Sequence, residues 1–187
     1  MADHLYLSCW LRGFTAHNMF QHWNRALRKF PYSHFKPTAT LRVFALEMVE
    51  PAALERLFDE ITGSREIIDA AREFANADCA YQLEAFWDLW QFDGDWKLDA
   101  SPVSVTLHGP EFPSDLGEQL LIDFGLDFLY LPGQGKARNL TAVRSNIRSL
   151  LRMVEELKED LPVEKQLLWC DSEENLAEVL TAALAGE

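Results

Sequence analysis

Between Leu120 and Leu161 the hydrophobic period changes once, and that change limits the folds open to the chain more than any other feature. From Leu120 to Tyr130 every even position is apolar (Leu120, Ile122, Phe124, Leu126, Phe128, Tyr130), while the odd positions include Asp123, Gly125 and Asp127. A period of two marks a strand that buries one face. After Pro132 and Gly133-Gln134-Gly135-Lys136, the residues Leu140, Val143, Ile147, Leu150, Leu151, Val154, Leu157 and Leu161 recur at three- and four-residue steps. That is the spacing of one helix face. Strand and helix each carry a single apolar face, so each needs the other to cover it.

A strand that feeds a glycine turn and a helix start offers free backbone N–H groups to an anion, with the positive end of the helix dipole behind them. Gly133, Gly135, Lys136 and Arg138 stand at this turn, and Arg144 follows along the helix. These five are the candidate binding residues for a small anionic or phosphorylated ligand. The specific phosphate signatures are absent. A P-loop places a glycine where Tyr130 stands and a hydroxyl where Ala137 stands. The dinucleotide fingerprint places a third glycine at Arg138.

The other elements follow from the same two periods. Leu5, Leu7, Cys9 and Leu11 alternate with His4, Tyr6, Ser8, Trp10 and Arg12 in a first strand that Gly13 ends. Thr15 is the expected N-cap of a helix with Phe20, Trp23, Leu27 and Phe30 inward, stopped by Pro31. A second strand over residues 39–47 follows, expected to be parallel to the first because a helix connects them. Pro51 and Gly63 bracket an expected helix through Leu54, Leu57, Phe58 and Ile61, and Ser64 opens another through Ile67, Ile68, Ala71 and Phe74. Cys79 to Phe92 alternates Tyr81, Leu83, Ala85, Trp87 and Leu89 against Gln82, Glu84, Phe86, Asp88, Trp90 and Phe92, and Asp93-Gly94 turns the chain into a return strand ending at His108. After the long helix come a short strand over 166–170 and a helix opened by Ser172. The expectation is an α+β protein: a two-layer sandwich of a mixed sheet with helices on one face, ferredoxin-like in style. A doubly wound sheet would need strands apolar on both faces.

At 187 residues the chain reads as one domain over 1–187, with a hint of two related halves, about 1–78 and 79–187. No apolar run approaches the roughly 18 residues of a membrane span, and the first residues lack the pattern of a signal peptide, so a cytoplasmic location is expected. Cys9, Cys79 and Cys170 are distant and odd in number, which suits reduced core thiols rather than disulfides or a metal knuckle. The net charge of -13 is uneven: +5 over residues 1–46, -15 over 47–127, +5 over 128–154 and -8 from 155 onward. Such a balance disfavours nucleic acid and anionic membrane as partners. Arg144, Arg148 and Arg152 form a like-charge ladder that Glu155 and Glu156 begin to answer.

If the helices cover one side of the sheet, the other collects Trp10, Phe44, Phe86, Trp90 and His108 among polar neighbours. Large aromatics on a sheet face mark an interface or a pocket. The leading expectation is therefore a non-enzymatic interaction module that forms a homodimer through this face, with the anionic-ligand loop as the alternative. Cover by the chain's own loops is the third use of the face. No catalytic set stands out. His108 could meet Glu84 or Asp123 across neighbouring strands, but one histidine with scattered acids is weak grounds for acid–base chemistry. His17 and His22, about 140° apart on a helix, share no ligand face. No cofactor or metal ion is called for by the sequence.

Overall fold

The computed structural model describes residues 3–48, 51–61, 63–131, 140–170 and 176–185. In chain order these residues form β1 (His4–Leu11), α1 (Met19–Lys29), β2 (Ala39–Ala45), β3 (Leu54–Phe58), α2 (Arg65–Arg72), β4 (Cys79–Asp93), β5 (Asp95–His108), β6 (Leu120–Leu126), a short 3-10 turn (Asp127–Leu129), α3 (Leu140–Asp160), β7 (Val163–Cys170) and α4 (Leu176–Ala185). Among the described residues, the seven strands make one sheet in the order β3-β2-β4-β5-β6-β1-β7. The class is α+β, and the sheet is larger than the β-α-β-β-α-β unit of a ferredoxin-like fold.

Every neighbouring pair in this sheet is antiparallel, which corrects the expectation of a mixed sheet. β1 and β2 do run in the same direction, as the helix between them implies. They are not partners, because β6, β5 and β4 stand between them. A second correction concerns residues 54–58, expected in a helix and found as the edge strand β3, paired with β2. The apolar set there suits a helix stripe and a strand equally. The sheet decides, because β2 has an open edge and Leu54 and Phe58 can fold under it onto the core while Leu57 stays 64% exposed.

One hydrophobic cluster joins the inward faces of the strands to the helices. Leu5, Leu7, Leu41, Val43, Leu83 and Val105 meet Trp23 and Leu27 of α1, Ile67 and Ala71 of α2, Ile147, Leu150 and Leu157 of α3, and Leu176 and Leu180 of α4. Among the described residues the opposite face has a small buried apolar group of its own, Phe44, Ala80 and Phe112. α1 begins three residues later than Thr15 as N-cap predicts, with Asn18 in the cap position. Asn18 spans the turn before it, donating to the Gly13 carbonyl and accepting from the Thr15 N–H, both at 2.8 Å. β6 also stops short of Tyr130, turning at Gly125, whose φ of 80° is left-handed.

β4 and β5, the longest strands among the described residues, form a hairpin turned by Gly94 at φ 75°. It outruns its neighbours: β2 follows β4 only as far as Glu84, and β6 follows β5 only as far as Ser104. The overhanging edge of β4 would carry unpaired backbone groups. Other parts of the chain supply them. Ser33 donates its N–H to the Phe86 carbonyl at 2.7 Å. Asn146, buried in α3, accepts from the Trp90 N–H and donates to the carbonyls of Trp90 and Leu129, all at 2.9 Å. One carboxamide thus imitates a short piece of partner strand. Each buried backbone group left without a partner costs about 1–3 kcal/mol. Asn146→Ala should therefore lower the free energy of urea unfolding by about 3 kcal/mol, whereas a loss below about 1 kcal/mol would mean that solvent reaches this edge.

Candidate functional site

After His108 the chain does not leave the sheet but folds back across its helix-free face. The Gly109 N–H donates to the Cys79 carbonyl and the Glu111 N–H to the Ala77 carbonyl, both at 2.9 Å. At the far end, the Gln119 N–H reaches the Cys9 carbonyl, and the Gln119 side-chain oxygen accepts from the Leu11 N–H. A Cβ at Gly109 would lie 2.3 Å from the Ala77 carbonyl oxygen, so only glycine allows the loop to start this close to the sheet. Between these anchors, Phe112 stacks on His108 with centroids 5.4 Å apart and planes 5° from parallel.

Residues 109–119 thereby roof one end of the face and enclose a cleft of about 300 Å³. The strands supply its floor through Tyr6, Gln82, Ser104, Thr106, Leu121 and Asp123, with His108 at one end. These side chains converge because alternation turns every second residue of β1, β4, β5 and β6 the same way and the register aligns them: Gln82 opposite Thr106, Thr106 opposite Leu121, Tyr6 opposite Asp123. Phe112, Pro113, Ser114, Asp115 and Glu118 line the roof, and Leu46, Glu47 and Met48 the far rim.

Two titratable groups are nearly sealed in this wall, His108 at 5% exposure and Glu118 at 3%. The His108 Nδ1 lies 3.0 Å from the Glu118 main-chain carbonyl and 3.7 Å from its carboxylate. A carbonyl only accepts, so Nδ1 carries the proton and Nε2 keeps its lone pair. Burial lowers the pKa of His108 below that of an ordinary histidine, opposed in part by the Glu118 carbonyl and by the Glu118 and Asp115 carboxylates. The ring is neutral at physiological pH. Glu118 also accepts the Leu116 N–H at 3.1 Å, which fixes its carboxylate within the loop. Asp123 is held by the His4 ring and the Gly125 N–H, at 2.9 and 2.8 Å.

The lining is rich in acceptors. Among the described residues it carries the four carboxylates of Glu47, Asp115, Glu118 and Asp123 and neither lysine nor arginine. Among the described residues no three His, Cys, Asp or Glu side chains are grouped so as to hold a metal ion.

The residues singled out in the sequence are dispersed. Gly133, Gly135, Lys136 and Arg138 lie outside the described residues, and Arg144 sits half-buried in the first turns of α3. Of the aromatic face, His108 and Phe44 are covered by the loop, Phe44 packing on Ala80 and Phe112. Trp10, Phe86 and Trp90 are half-exposed on the same side, with the Lys165 ammonium 4.4 Å from the Trp10 ring centre and that of Lys36 3.8 Å from Phe86. His108 meets neither Glu84 nor Asp123. Register places it opposite Ala80, while Glu84 pairs with Arg42 and Asp123 with His4. Its real neighbour, Glu118, sits in an aperiodic loop, where spacing carries no signal. Arg152 pairs with Glu156 at 3.0 Å, one turn on, as the ladder implies.

No family model, curated protein or solved structure matches the chain. What the cleft does is therefore read from its chemistry.

The lowered pKa of His108 has a consequence for stability. The unfolded chain titrates near a histidine's ordinary value of about 6.5 and takes up a proton that the folded state resists. The stability due to neutral His108 is complete above that value and falls as the pH drops below it toward the lower folded pKa. His22, also buried and also lowered by burial, then by Arg25, adds to the same slope. Thermal unfolding between pH 7.5 and 5 should therefore flatten partly in His108→Gln and further in His108→Gln/His22→Leu. An unchanged slope in the double variant would place the titration elsewhere.

Proposed function

We propose that the chain is a two-layer α+β binding module whose helix-free sheet face is its working surface, and that the cleft beneath residues 109–119 takes a small organic cation, a primary amine or guanidinium compound. The observation that carries this reading is the lining of the cleft: four carboxylates, a neutral imidazole whose Nδ1 holds the proton, and no cationic side chain among the described residues. A cationic ligand brings donors to these acceptors, and hydrogen bonds to charged groups contribute about 1.5–3 kcal/mol each. An anion would meet the repulsion of four carboxylates. Leu46, Met48, Phe112 and Leu121 give the ligand's carbon skeleton an apolar surface. The volume of about 300 Å³ suits a compact molecule.

Putrescine, agmatine and spermidine are suitable probes. At least one should raise the melting temperature in a dose-dependent way, with calorimetric affinity about tenfold weaker in Glu118→Gln and in Asp115→Asn. The cation reading fails if none of them binds at 10 mM (~the upper limit of a useful weak affinity), or if both variants bind as tightly as the parent.

A second use of the same face, self-association, is favoured by a separate observation. On the overhanging hairpin, Phe86, Trp90, Phe92 and Leu98 share the helix-free side, interrupted between Phe86 and Trp90 by Asp88, with Phe92 and Leu98 more than 40% exposed. A partly exposed aromatic row of this kind suits a homodimer with Trp90 as a central anchor. Sedimentation at micromolar concentration should give a dimer that Trp90→Glu dissociates. A monomeric parent chain would remove this reading and leave the cleft untouched.

A further inference from the structure

On the other side of the sheet, α1 and α2 leave a groove of about 500 Å³ between them, lined by Asn24, Arg28, Gly63, Ser64, Arg65, Ile68, Asp69 and Arg72. Its chemistry is the reverse of the cleft's. Asn24 and Arg28 are four apart on α1, and Arg65, Ile68, Asp69 and Arg72 stand at the spacings of one face of α2, so the packing of two helices places three arginines around one space. We infer that this groove binds a small phosphorylated molecule, its phosphate held by Arg28, Arg65 and Arg72.

In a chain of net charge -13, three arginines outside the groove are closely answered by acids: Arg42 by Glu55 at 2.8 Å, Arg56 by Glu73 at 2.9 Å, Arg152 by Glu156 at 3.0 Å. In the groove, the only carboxylate paired among the described residues is Asp69, on Arg65 at 3.7 Å. Three guanidiniums against one carboxylate leave a local charge of about +2, which matches a phosphate monoester dianion. Helix dipoles account for the placing of Arg28 and Arg72 in the last turns of their own helices. They do not account for both meeting on one cavity.

The neutral members of the lining point the same way. Ser64, 7% exposed, donates its hydroxyl to the Asn24 side-chain oxygen at 2.6 Å. That bond uses the acceptor of the carboxamide and leaves its two N–H donors to the groove. Ile68, 4% exposed, gives the floor an apolar patch for the carbon part of the ligand. The groove is several times larger than a bare phosphate ion needs, which favours an organic phosphate. Forked guanidinium groups suit phosphate by pairing two N–H donors with two oxygens at once.

The test is calorimetric titration of the full chain with inorganic pyrophosphate at low salt. The parent protein should bind, and Arg28→Gln/Arg72→Gln should weaken binding at least tenfold with its melting temperature nearly unchanged, since Arg28 and Arg72 are both exposed. Arg148→Gln, exposed on α3 away from the groove, should bind as the parent does. The binding constant of the parent should fall steeply as salt is raised. The inference is overturned if millimolar pyrophosphate gives no heat, if the double variant binds as tightly as the parent, or if citrate binds as tightly as pyrophosphate.

Discussion

The antiparallel pairing of β4 with β5 is the constraint on which the rest of the structure depends. It runs unbroken from Ala80 opposite His108 to Asp93 opposite Asp95. Because the side-chain period of a strand is two, this register settles at once which residues of both strands face the helices and which face away. Tyr81, Leu83, Ala85, Trp87 and Leu89 turn inward with Val103, Val105 and Leu107, and the helices have a single apolar wall to cover. Gln82, Glu84, Phe86, Thr106 and His108 are left on the other side. A slip of one residue would exchange these sets, burying Glu84 and Asp88 beneath the helices.

A hairpin longer than its neighbours also creates a problem that other segments must solve. The overhang of β4 has no partner strand on its β2 side, and its backbone groups lie close to the helix layer. Asn146 closes one part. The segment after α1 closes another: Ser33 donates to the Phe86 carbonyl through its N–H and to the Asp88 carboxylate through its hydroxyl, and the His34 N–H reaches the same carboxylate at 2.8 Å. Burial alone would raise the pKa of Asp88. The hydrogen bonds from Ser33 and His34, together with the His34 ring, outweigh burial and leave the pKa lowered. The charged form of Asp88 is thus tied to the docking of residues 33 and 34 on the hairpin, and local backbone satisfaction becomes tertiary structure.

What was legible in the sequence is what period carries. The alternation of Leu5 to Leu11 and of Cys79 to Leu89 named the inward residues of β1 and β4, and the stripe of Val143, Ile147, Leu150 and Leu157 did so for α3. Pairing was not legible, because whether β1 lies beside β2 or beside β6 depends on contacts more than a hundred residues apart, and alternation within a strand is silent about its neighbour. Length also limits period: Leu54, Leu57 and Phe58 fit helix and strand equally, and an open edge on β2 decided between them. The cleft was half visible. His108 and Asp123 appeared as residues of one face, but Glu118 and Asp115 come from a loop whose path depends on Gly109 approaching the Ala77 carbonyl. Nothing in the spacing of a loop reports which strand it will cross.

The cleft and the aromatic row share one sheet face and centre on different stretches of it. The cleft gathers at the end of the hairpin marked by Gln82 and Thr106, which are directly opposite in register, while the row centres on Trp90 and Leu98, also opposite. Eight residues of β5 separate Thr106 from Leu98, which at the rise of an antiparallel strand is about 27 Å. A partner seated on Trp90 would leave the roof of residues 109–119 and the rim at Leu46 to Met48 clear, and Phe86, opposite Pro102, is the member of the row that comes nearest the cleft floor at Ser104. Both lie on the same two strands, bound by a continuous ladder that cannot slide without reversing every side chain. The hairpin therefore holds the two surfaces at a fixed spacing, so that a dimer formed at one end would present two clefts in a set geometry at the other.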